Sequence, residues 1–95
     1  MIGSWYDDDV EELFGGGKGH RSWETFRRVA RRKLIMIEAA KNLDDLRNPP
    51  GNRLEALKRK RLGQHSIRIN DQYRVCFTWT DNKAYDIEIA DYHDE

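Results

Sequence analysis

The segment Asn48-Pro49-Pro50-Gly51-Asn52 constrains the fold most, because it divides the chain into two halves with different hydrophobic periods. Proline removes backbone donors and glycine permits tight turns, so no helix or strand is expected to continue through it. Before this segment, apolar residues recur every three or four positions, which is typical of an amphipathic helix. After it, they alternate, which is typical of half-buried strands. The chain is therefore predicted to be helical first and a sheet afterwards.

The first half is predicted to form a short strand and then two helices. Residues 1–6 alternate, and Asp7-Asp8-Asp9 then offers an N-cap and favourable negative charge to a short helix. The run Gly15-Gly16-Gly17 ends it. A second helix of about five turns is predicted from an N-cap at Ser22, with a short further turn near Asp44. Its apolar side contains Trp23, Phe26, Val29, Ala30, Leu34, Ile37 and Ala40, and its outer side contains Arg27, Arg28, Arg31, Arg32 and Lys33.

The second half is predicted to form three or four strands joined by tight turns, at residues 53–58, 65–70, 73–80 and 84–90. Strands linked by hairpins make an antiparallel meander. We therefore predict an α+β fold in which N-terminal helices pack on one face of a small antiparallel β-sheet meander. The residues expected to face the helices are Tyr73, Val75, Phe77, Trp79, Tyr85, Ile87 and Ile89. The residues expected on the opposite, open face are Arg68, Arg74, Cys76, Asp86 and Lys58.

The length of 95 residues predicts a single domain, residues 1–95, with one modest core. The single cysteine, Cys76, excludes an internal disulfide framework and indicates a reducing compartment. The longest apolar run, residues 34–37, is far shorter than the roughly 20 residues that a membrane span needs. Because no apolar stretch follows the first residues, we expect no secretory signal, no membrane partner and a cytoplasmic location.

The net charge of zero conceals a separation of charge along the chain. Residues 1–12 contain five acids and no base, and residues 81–95 contain six acids and one lysine. Residues 13–80 contain sixteen bases and six acids. Such asymmetry favours a polyanion-binding surface in the middle of the chain. The alternative is a solvated basic face with acidic ends folded back onto it.

The sequence offers no set of residues typical of a metal or cofactor site. His20, His65 and His93 have no metal-ligand spacing, and one cysteine cannot form a zinc cluster. The glycines at 15–19 lie beside Lys18 but do not have the order of a phosphate-binding loop. We therefore expect neither a metal nor an organic cofactor.

The residues that suggest chemistry are Asp91-Tyr92-His93, which directly follow the last strand. Cleavage of RNA by its own 2′-hydroxyl needs a base, an acid and cations that stabilise the phosphorane. Histidine suits either proton role because its pKa lies near working pH. On the open face, Arg74 and Lys58 are candidates for the cations. The simpler alternative is an exposed C-terminal histidine and a tyrosine that covers the core.

Three blocks of the sequence together indicate a family. They are NRLEALK at residues 52–58, LGQHSIRINDQYRVCF at 62–77 and YDIEIADYH at 85–93. In their order and in the closing DYH they resemble the HigB branch of the RelE/ParE superfamily, the toxins of bacterial type II toxin–antitoxin modules. The resemblance is strong over about residues 50–93 and looser over the start and the basic helix.

This resemblance implies a function as well as a fold of two helices on a small antiparallel sheet. The expected activity is that of a ribosome-dependent mRNA endonuclease that inhibits translation by cutting codons in the A site. The expected partners are the ribosome, mRNA and a HigA-like helix-turn-helix antitoxin, and the complex is expected to contact operator DNA through that antitoxin. Residue by residue, Asp91, Tyr92 and His93 match the catalytic block of the family, and Lys58 and Arg74 match its cations.

Two positions depart from the family pattern. Glu55 stands where members with a well-described nuclease site have histidine; a carboxylate can act as a base but cannot stabilise a phosphorane. Where many members read Lys-Gly-Asp-Arg, this chain has Lys58-Arg59-Lys60-Arg61, and the added positive charge is expected to strengthen contact with RNA. Arg59, Lys60, Arg61 and Arg68 are therefore the predicted RNA-binding residues.

Two other functions remain open from the sequence. One is a toxin of the same fold that blocks a ribosomal or gyrase target by binding alone, which Glu55 favours. The other is an RNA- or protein-binding module in which residues 91–93 are structural. The basic helix likewise has three interpretations: docking on ribosomal RNA, contact with an antitoxin, or solvent exposure.

Overall fold

The structure, a computed structural model, describes residues 1–92 and has helices on one face of a four-stranded antiparallel sheet. This confirms the predicted α+β class and meander. The strands follow one another in the order β1-β2-β3-β4. The helices are α1 (Asp8–Phe14) and α2 (Arg27–Ala39), and the strands are β1 (Glu55–Ala56), β2 (Gln64–Arg68), β3 (Tyr73–Thr80) and β4 (Lys83–Asp91). Short 3-10 turns lie at Arg21–Phe26, Leu43–Arg47, Pro50–Asn52 and Arg59–Arg61.

The start of the chain runs beside β4 but is not the regular strand that the sequence predicts. Two isolated parallel bridges, Ile2 to Ala84 and Trp5 to Ile87, join it to that strand. Between them β4 bulges at Asp86, where φ is +52° and the backbone N–H donates to Ser4 Oγ at 2.8 Å instead of to a backbone carbonyl. The ladder is therefore interrupted, although the segment still covers the β4 edge.

The first helix has the predicted N-cap, because Asp7 Oδ1 accepts from the Val10 N–H at 3.0 Å. The prediction for the second helix is wrong at its start, since residues 21–26 form a 3-10 helix capped by His20, and α2 begins only at Arg27. Side chains three residues apart align on a 3-10 helix, so Trp23 and Phe26 both reach the core. The short turn predicted near Asp44 is the 3-10 helix Leu43–Arg47.

One main hydrophobic core lies between the helices and the sheet. Ala30, Leu34 and Ile37 of α2 are fully buried against the strands. The α1 residues Val10 and Leu13 complete this layer. The sheet side of the core comes from Ile67, Ile69, Val75, Phe77, Ala84, Ile87 and Ile89.

The bulge in β4 overturns one prediction about which side chains face the helices. Cys76 pairs with Glu88 and Thr78 pairs with Tyr85, so two residues of β4 stand opposite Phe77. An extra residue shifts the alternation of a strand by one. Tyr85 therefore shares the face of Thr78, away from the helices, and its ring lies over Gly3, where an added Cβ would be 2.3 Å from the Tyr85 Cε1.

Lys33 is the second residue that the sequence places on the wrong side. It is expected on the outer basic face of α2 but is only 6% exposed. Its ammonium donates to Asn52 Oδ1 at 2.6 Å, and Asn52 Nδ2 donates to the carbonyls of Leu46 (3.1 Å) and Asn48 (3.2 Å). The cation is buried because this amide provides an acceptor inside the fold. Burial lowers the pKa of Lys33, and the charges of Arg32 and Arg68 lower it further.

Across residues 1–92 we find no helix that has both the length and the apolar composition to cross a membrane.

Candidate active site

The candidate site lies on the second face of the sheet, which we define as the face turned away from α2. Paired residues in an antiparallel sheet project from the same face, so the strand register gives the layout. Three rows of side chains cross this face. They are Arg68, Arg74 and Ala90; Glu55, Ser66, Cys76 and Glu88; and Gln64, Thr78 and Tyr85.

The second face is less open than the sequence predicts, because Leu57 lies over its centre. Leu57, Cys76 and Ala90 form a small buried apolar cluster. The sequence predicts Cys76 on an open face, and this prediction is wrong because Cys76 is buried. The strand predicted at residues 53–58 is also shorter than expected, since β1 comprises only Glu55–Ala56, although the Leu57 N–H still donates to the Gln64 carbonyl at 2.9 Å.

Arg74 and Tyr92, two of the predicted catalytic residues, are brought into contact. The Arg74 guanidinium carbon lies 4.2 Å from the centroid of the Tyr92 ring, which is a cation–π arrangement. Two guanidinium nitrogens, Nε and Nη1, are buried and have no hydrogen-bond partner within residues 1–92. Tyr92 itself is 40% exposed, and its N–H donates to the Gln72 carbonyl at 2.6 Å.

Asp91 and His93, the other two members of the C-terminal block, are placed differently. Asp91 pairs with Tyr73, whose ring packs on Phe26 of the helical layer at 4.6 Å between centroids. By register Asp91 therefore does not share a face with Arg74. Its Oδ2 accepts from Gln72 Nε2 at 2.8 Å, so the turn before β3 holds the end of β4. His93 lies outside the described residues.

Arg68 and Glu55 lie on the strands to one side of Arg74, on β2 and β1 respectively. Arg68 stands directly opposite Arg74 in the register and forms an ion pair with Asp71 in the following turn. Arg68, a predicted RNA-binding residue, thus has part of its positive charge neutralised by Asp71. Glu55, the possible base, is exposed and stands opposite Ser66 on the second face.

The basic loop, residues 57–63, connects β1 to β2, and its cations differ in their exposure to solvent. Lys58, Arg59 and Lys60 are exposed. Arg61 is partly buried: its Nη1 lies 2.9 Å from Glu88 Oε1 and its Nη2 lies 3.4 Å from Glu88 Oε2. Of the predicted RNA-binding residues of this loop, Arg59 and Lys60 are thus exposed and Arg61 forms an ion pair across the sheet. Lys58, a predicted catalytic cation, is exposed as well.

Sequence reasoning missed three contributors to this site: Ser66, Glu88 and Gln72. The Ser66 hydroxyl is fully buried and has no hydrogen-bond partner within residues 1–92. In the sequence, Ser66 and Arg68 alternate with Ile67 and Ile69, and this pattern is a signal that Ser66 shares a face with Arg68. The sequence does not indicate that Ser66 is buried, because its burial depends on tertiary packing.

Within residues 1–92, no cluster of three His, Cys, Asp or Glu residues could hold a metal ion.

Comparison with known proteins identifies the class to which this fold and site belong. The family model described as HigB-like toxin, a RelE-like toxin of the type II toxin–antitoxin system HigB, matches residues 3–93. The chain is thus a RelE-like toxin of a type II toxin–antitoxin system. Within that class it belongs to the HigB-like toxin family, as the sequence blocks suggested.

The chain is also similar to individual proteins, one of them a HigB toxin. The chain is 40% identical to Toxin HigB-1 of Vibrio cholerae serotype O1 over 79 residues, which are 82% of this chain and 83% of that protein. It is 46% identical over 57 residues to an uncharacterized protein of Haemophilus influenzae, covering 60% of this chain and 56% of the other.

Solved structures support the fold alone, because their sequence identity is low. A heterotetrameric YoeB–YefM toxin–antitoxin complex from Staphylococcus aureus has a chain that superposes with a TM-score of 0.56 at 18% identity, covering 98% of both chains. A second YoeB–YefM complex from the same organism gives 0.50 at 17% identity, covering 93% of this chain and 95% of the other.

Proposed function

We propose that this toxin is an endoribonuclease that cuts mRNA on the ribosome and thereby inhibits translation. The observation that supports this most is the Arg74 guanidinium, held on the Tyr92 ring with two buried N–H groups that have no acceptor within residues 1–92. A buried donor without a partner costs roughly 1–3 kcal/mol. A phosphate oxygen is the acceptor that a planar guanidinium binds best, so RNA would recover that cost on binding.

The proposed reaction is attack of the 2′-hydroxyl on the adjacent phosphorus, with departure of the 5′-oxygen. Glu55 is the candidate base that removes the 2′-hydroxyl proton, and His93 is the candidate acid that protonates the departing 5′-oxygen. Arg74 and Lys58 stabilise the negative charge of the phosphorane. Tyr92 holds Arg74 in its stacked orientation, and Asp91 holds the chain end through Gln72. Arg59, Lys60 and Arg68 attract the RNA backbone.

The proposed partners follow from the family. A HigA-like helix-turn-helix antitoxin neutralises the toxin, and the pair contacts operator DNA through the antitoxin. This is consistent with the YoeB–YefM structures, which are toxin–antitoxin complexes. The proposed location is the bacterial cytoplasm, where ribosomes and mRNA are available.

The test is toeprinting on translating ribosomes with purified wild type, Arg74→Lys, His93→Gln and the control Arg47→Lys. Lysine keeps the charge of Arg74 but loses the planar fork and the stacking on Tyr92. We expect new mRNA 5′ ends at A-site codons with wild type and with the control. We expect about a 100-fold loss of cleavage with Arg74→Lys. Full cleavage by Arg74→Lys would contradict the proposed role of the guanidinium.

A second candidate function is inhibition by binding alone, and the position of Glu55 favours it. This exposed carboxylate is on the same face as the proposed phosphate site and would repel RNA there. In that case the toeprints show stalled ribosomes without new 5′ ends. Lys60→Glu then removes growth arrest, whereas His93→Gln retains it.

A further inference from the structure

The ion pair between Arg61 and Glu88 is the strongest feature of the second face that the proposed reaction does not use. Its side chains are only 19% and 22% exposed, and Arg61 Nη1 also donates to Gln64 Oε1 at 3.1 Å. By contrast, the ion pair between Arg47 and Asp44 is 66% and 82% exposed. An exposed pair contributes little, while partial burial strengthens the attraction between two charges.

This ion pair spans the sheet. Arg61 belongs to the basic loop between β1 and β2, and Glu88 lies on β4, two strands beyond β2. Neighbouring strands are about 4.8 Å apart, so the contact bridges about 10 Å of sheet. The basic loop is therefore folded over the second face instead of extending from the sheet edge.

The loop is attached to the sheet at a second point. Leu57, which precedes the exposed cations, packs on Cys76 of β3 and Ala90 of β4. Lys58, Arg59 and Lys60 consequently lie between two anchors that both reach β4, one apolar and one ionic. Two anchors on either side of a short segment restrict where its side chains can point.

The backbone between the anchors is strained. Arg59 has φ of +56°, a left-handed conformation that costs a residue with a Cβ about 1 kcal/mol. Such a conformation persists only where surrounding contacts maintain it. The ion pair and the Leu57 contact both hold this turn to the sheet.

We propose that Arg61 and Glu88 form a clamp that positions Lys58, Arg59 and Lys60 over the second face to receive the RNA backbone. Arg61 is then a positioning residue and not a phosphate ligand. The inference rests on the proposed function, because it assigns the loop to RNA. Glu88, a carboxylate on the RNA-binding surface, then increases the affinity for RNA.

The sign of the Glu88→Ala effect distinguishes the clamp from ordinary electrostatics. Removing an acid from a surface that binds a polyanion should strengthen binding if charge alone matters. If the clamp operates, Glu88→Ala and Arg61→Ala each weaken cleavage about tenfold. The double variant is no weaker than either single variant, because both remove the same interaction. Asp44→Ala is the matched control, since it removes one acid from an ion pair outside this loop, and its cleavage should equal that of wild type.

A charge-swapped protein, Arg61→Glu with Glu88→Arg, tests whether position 61 must itself be a cation. The clamp predicts recovery of cleavage to within about threefold of wild type. A direct RNA ligand at position 61 predicts no recovery, and that result would overturn the proposal. Thermal unfolding of every variant checks that the fold is intact.

Amide hydrogen exchange of residues 57–63 provides a readout that does not depend on nuclease activity. Glu88→Ala should accelerate exchange in this loop, while Asp44→Ala should not. If wild type fails to cut mRNA, the proposed function fails while the exchange result still decides whether the clamp exists. Unchanged exchange in Glu88→Ala, or stronger cleavage by it, would overturn the clamp.

Discussion

Two sets of buried polar groups lie in different parts of the molecule, and they differ in whether their hydrogen bonds are satisfied. Beside α2, the fully buried Asn52 accepts from Lys33 and donates to two backbone carbonyls. On the second face, the Ser66 hydroxyl and the Arg74 Nε and Nη1 groups are buried and have no partner among residues 1–92. Similar degrees of burial thus have opposite energetic consequences.

The difference separates a structural role from a functional one. Satisfied buried groups connect elements, and here Asn52 joins α2 to the turn before β1. Unsatisfied buried groups cost roughly 1–3 kcal/mol each, so a fold that retains them has a reason to do so. Within residues 1–92, three of the four such side-chain atoms belong to Ser66 and Arg74 on the second face, and the fourth is His65 Nδ1, which lies opposite Phe77. A ligand that supplies the missing partners provides that reason, which is why the second face is the better candidate for binding phosphate.

The largest effect is expected from Asn52→Ala. The substitution leaves the Lys33 ammonium and the carbonyls of Leu46 and Asn48 without their buried partner, and we expect a loss of about 3 kcal/mol in the free energy of unfolding. Urea denaturation followed by circular dichroism measures it. The control Asn48→Ala removes an exposed amide but keeps the carbonyl, and should cost less than about 0.5 kcal/mol. Equal effects of the two substitutions would contradict the structural role of Asn52.

Lys33→Met should have a smaller effect, about 1 kcal/mol at pH 7, because Asn52 loses a donor while a buried charge is removed. The effect depends on pH. Since the folded pKa of Lys33 is lowered from 10.5, the unfolded chain binds more protons as the pH approaches 10.5. The contribution of Lys33 to stability therefore increases with pH through that window.

Urea denaturation of wild type and Lys33→Met at a series of pH values measures this dependence. Other lysines titrate in the same range, but they cancel in the difference between the two proteins. That difference should increase in favour of wild type as the pH rises. With the exposed Lys41→Met as a control, the difference should stay constant. A constant difference for Lys33→Met as well would mean that Lys33 is solvated in solution.

The sequence predicts the order of helices and strands better than it predicts the environment of individual side chains. The change of period at residues 48–52 is sufficient to place helices before a meander, because period reflects which side chains face a core. The alternation of β3 places Arg74 on the second face for the same reason. These predictions depend only on local patterns, and the structure agrees with them.

The start of the second helix was mispredicted through a local contact, the cap at His20, but the wrong predictions about side-chain environment depend on contacts distant in sequence. A bulge at Asp86 reverses the face of Tyr85, and no turn residue signals it. Lys33 is buried because Asn52 meets it from 19 residues away. Cys76 is covered because Leu57 folds over the sheet from the basic loop. In each case a tertiary contact decided the environment of a residue whose local pattern indicated another.

The smallest effect on stability is expected from Ser66→Ala. Unlike Asn52→Ala and Lys33→Met, it is not expected to lower the free energy of unfolding. The hydroxyl is buried without a partner in the described chain, so its removal should leave stability unchanged or raise it by less than about 1 kcal/mol. Ser22→Ala is the contrasting control, because the Ser22 Oγ lies 2.6 Å from His20 Nδ1 and its loss should lower stability. Urea denaturation measures both.

Cleavage by Ser66→Ala then decides what the unsatisfied hydroxyl contributes. Because the Ser66 side chain is 0% exposed, RNA does not reach its hydroxyl, and the variant should keep both its stability and its cleavage of mRNA. A loss of stability of 1 kcal/mol would instead show that Ser66 is satisfied in solution. The contrast between the two sets of buried groups would then reduce to Arg74, and the argument for a phosphate site would depend on its guanidinium alone.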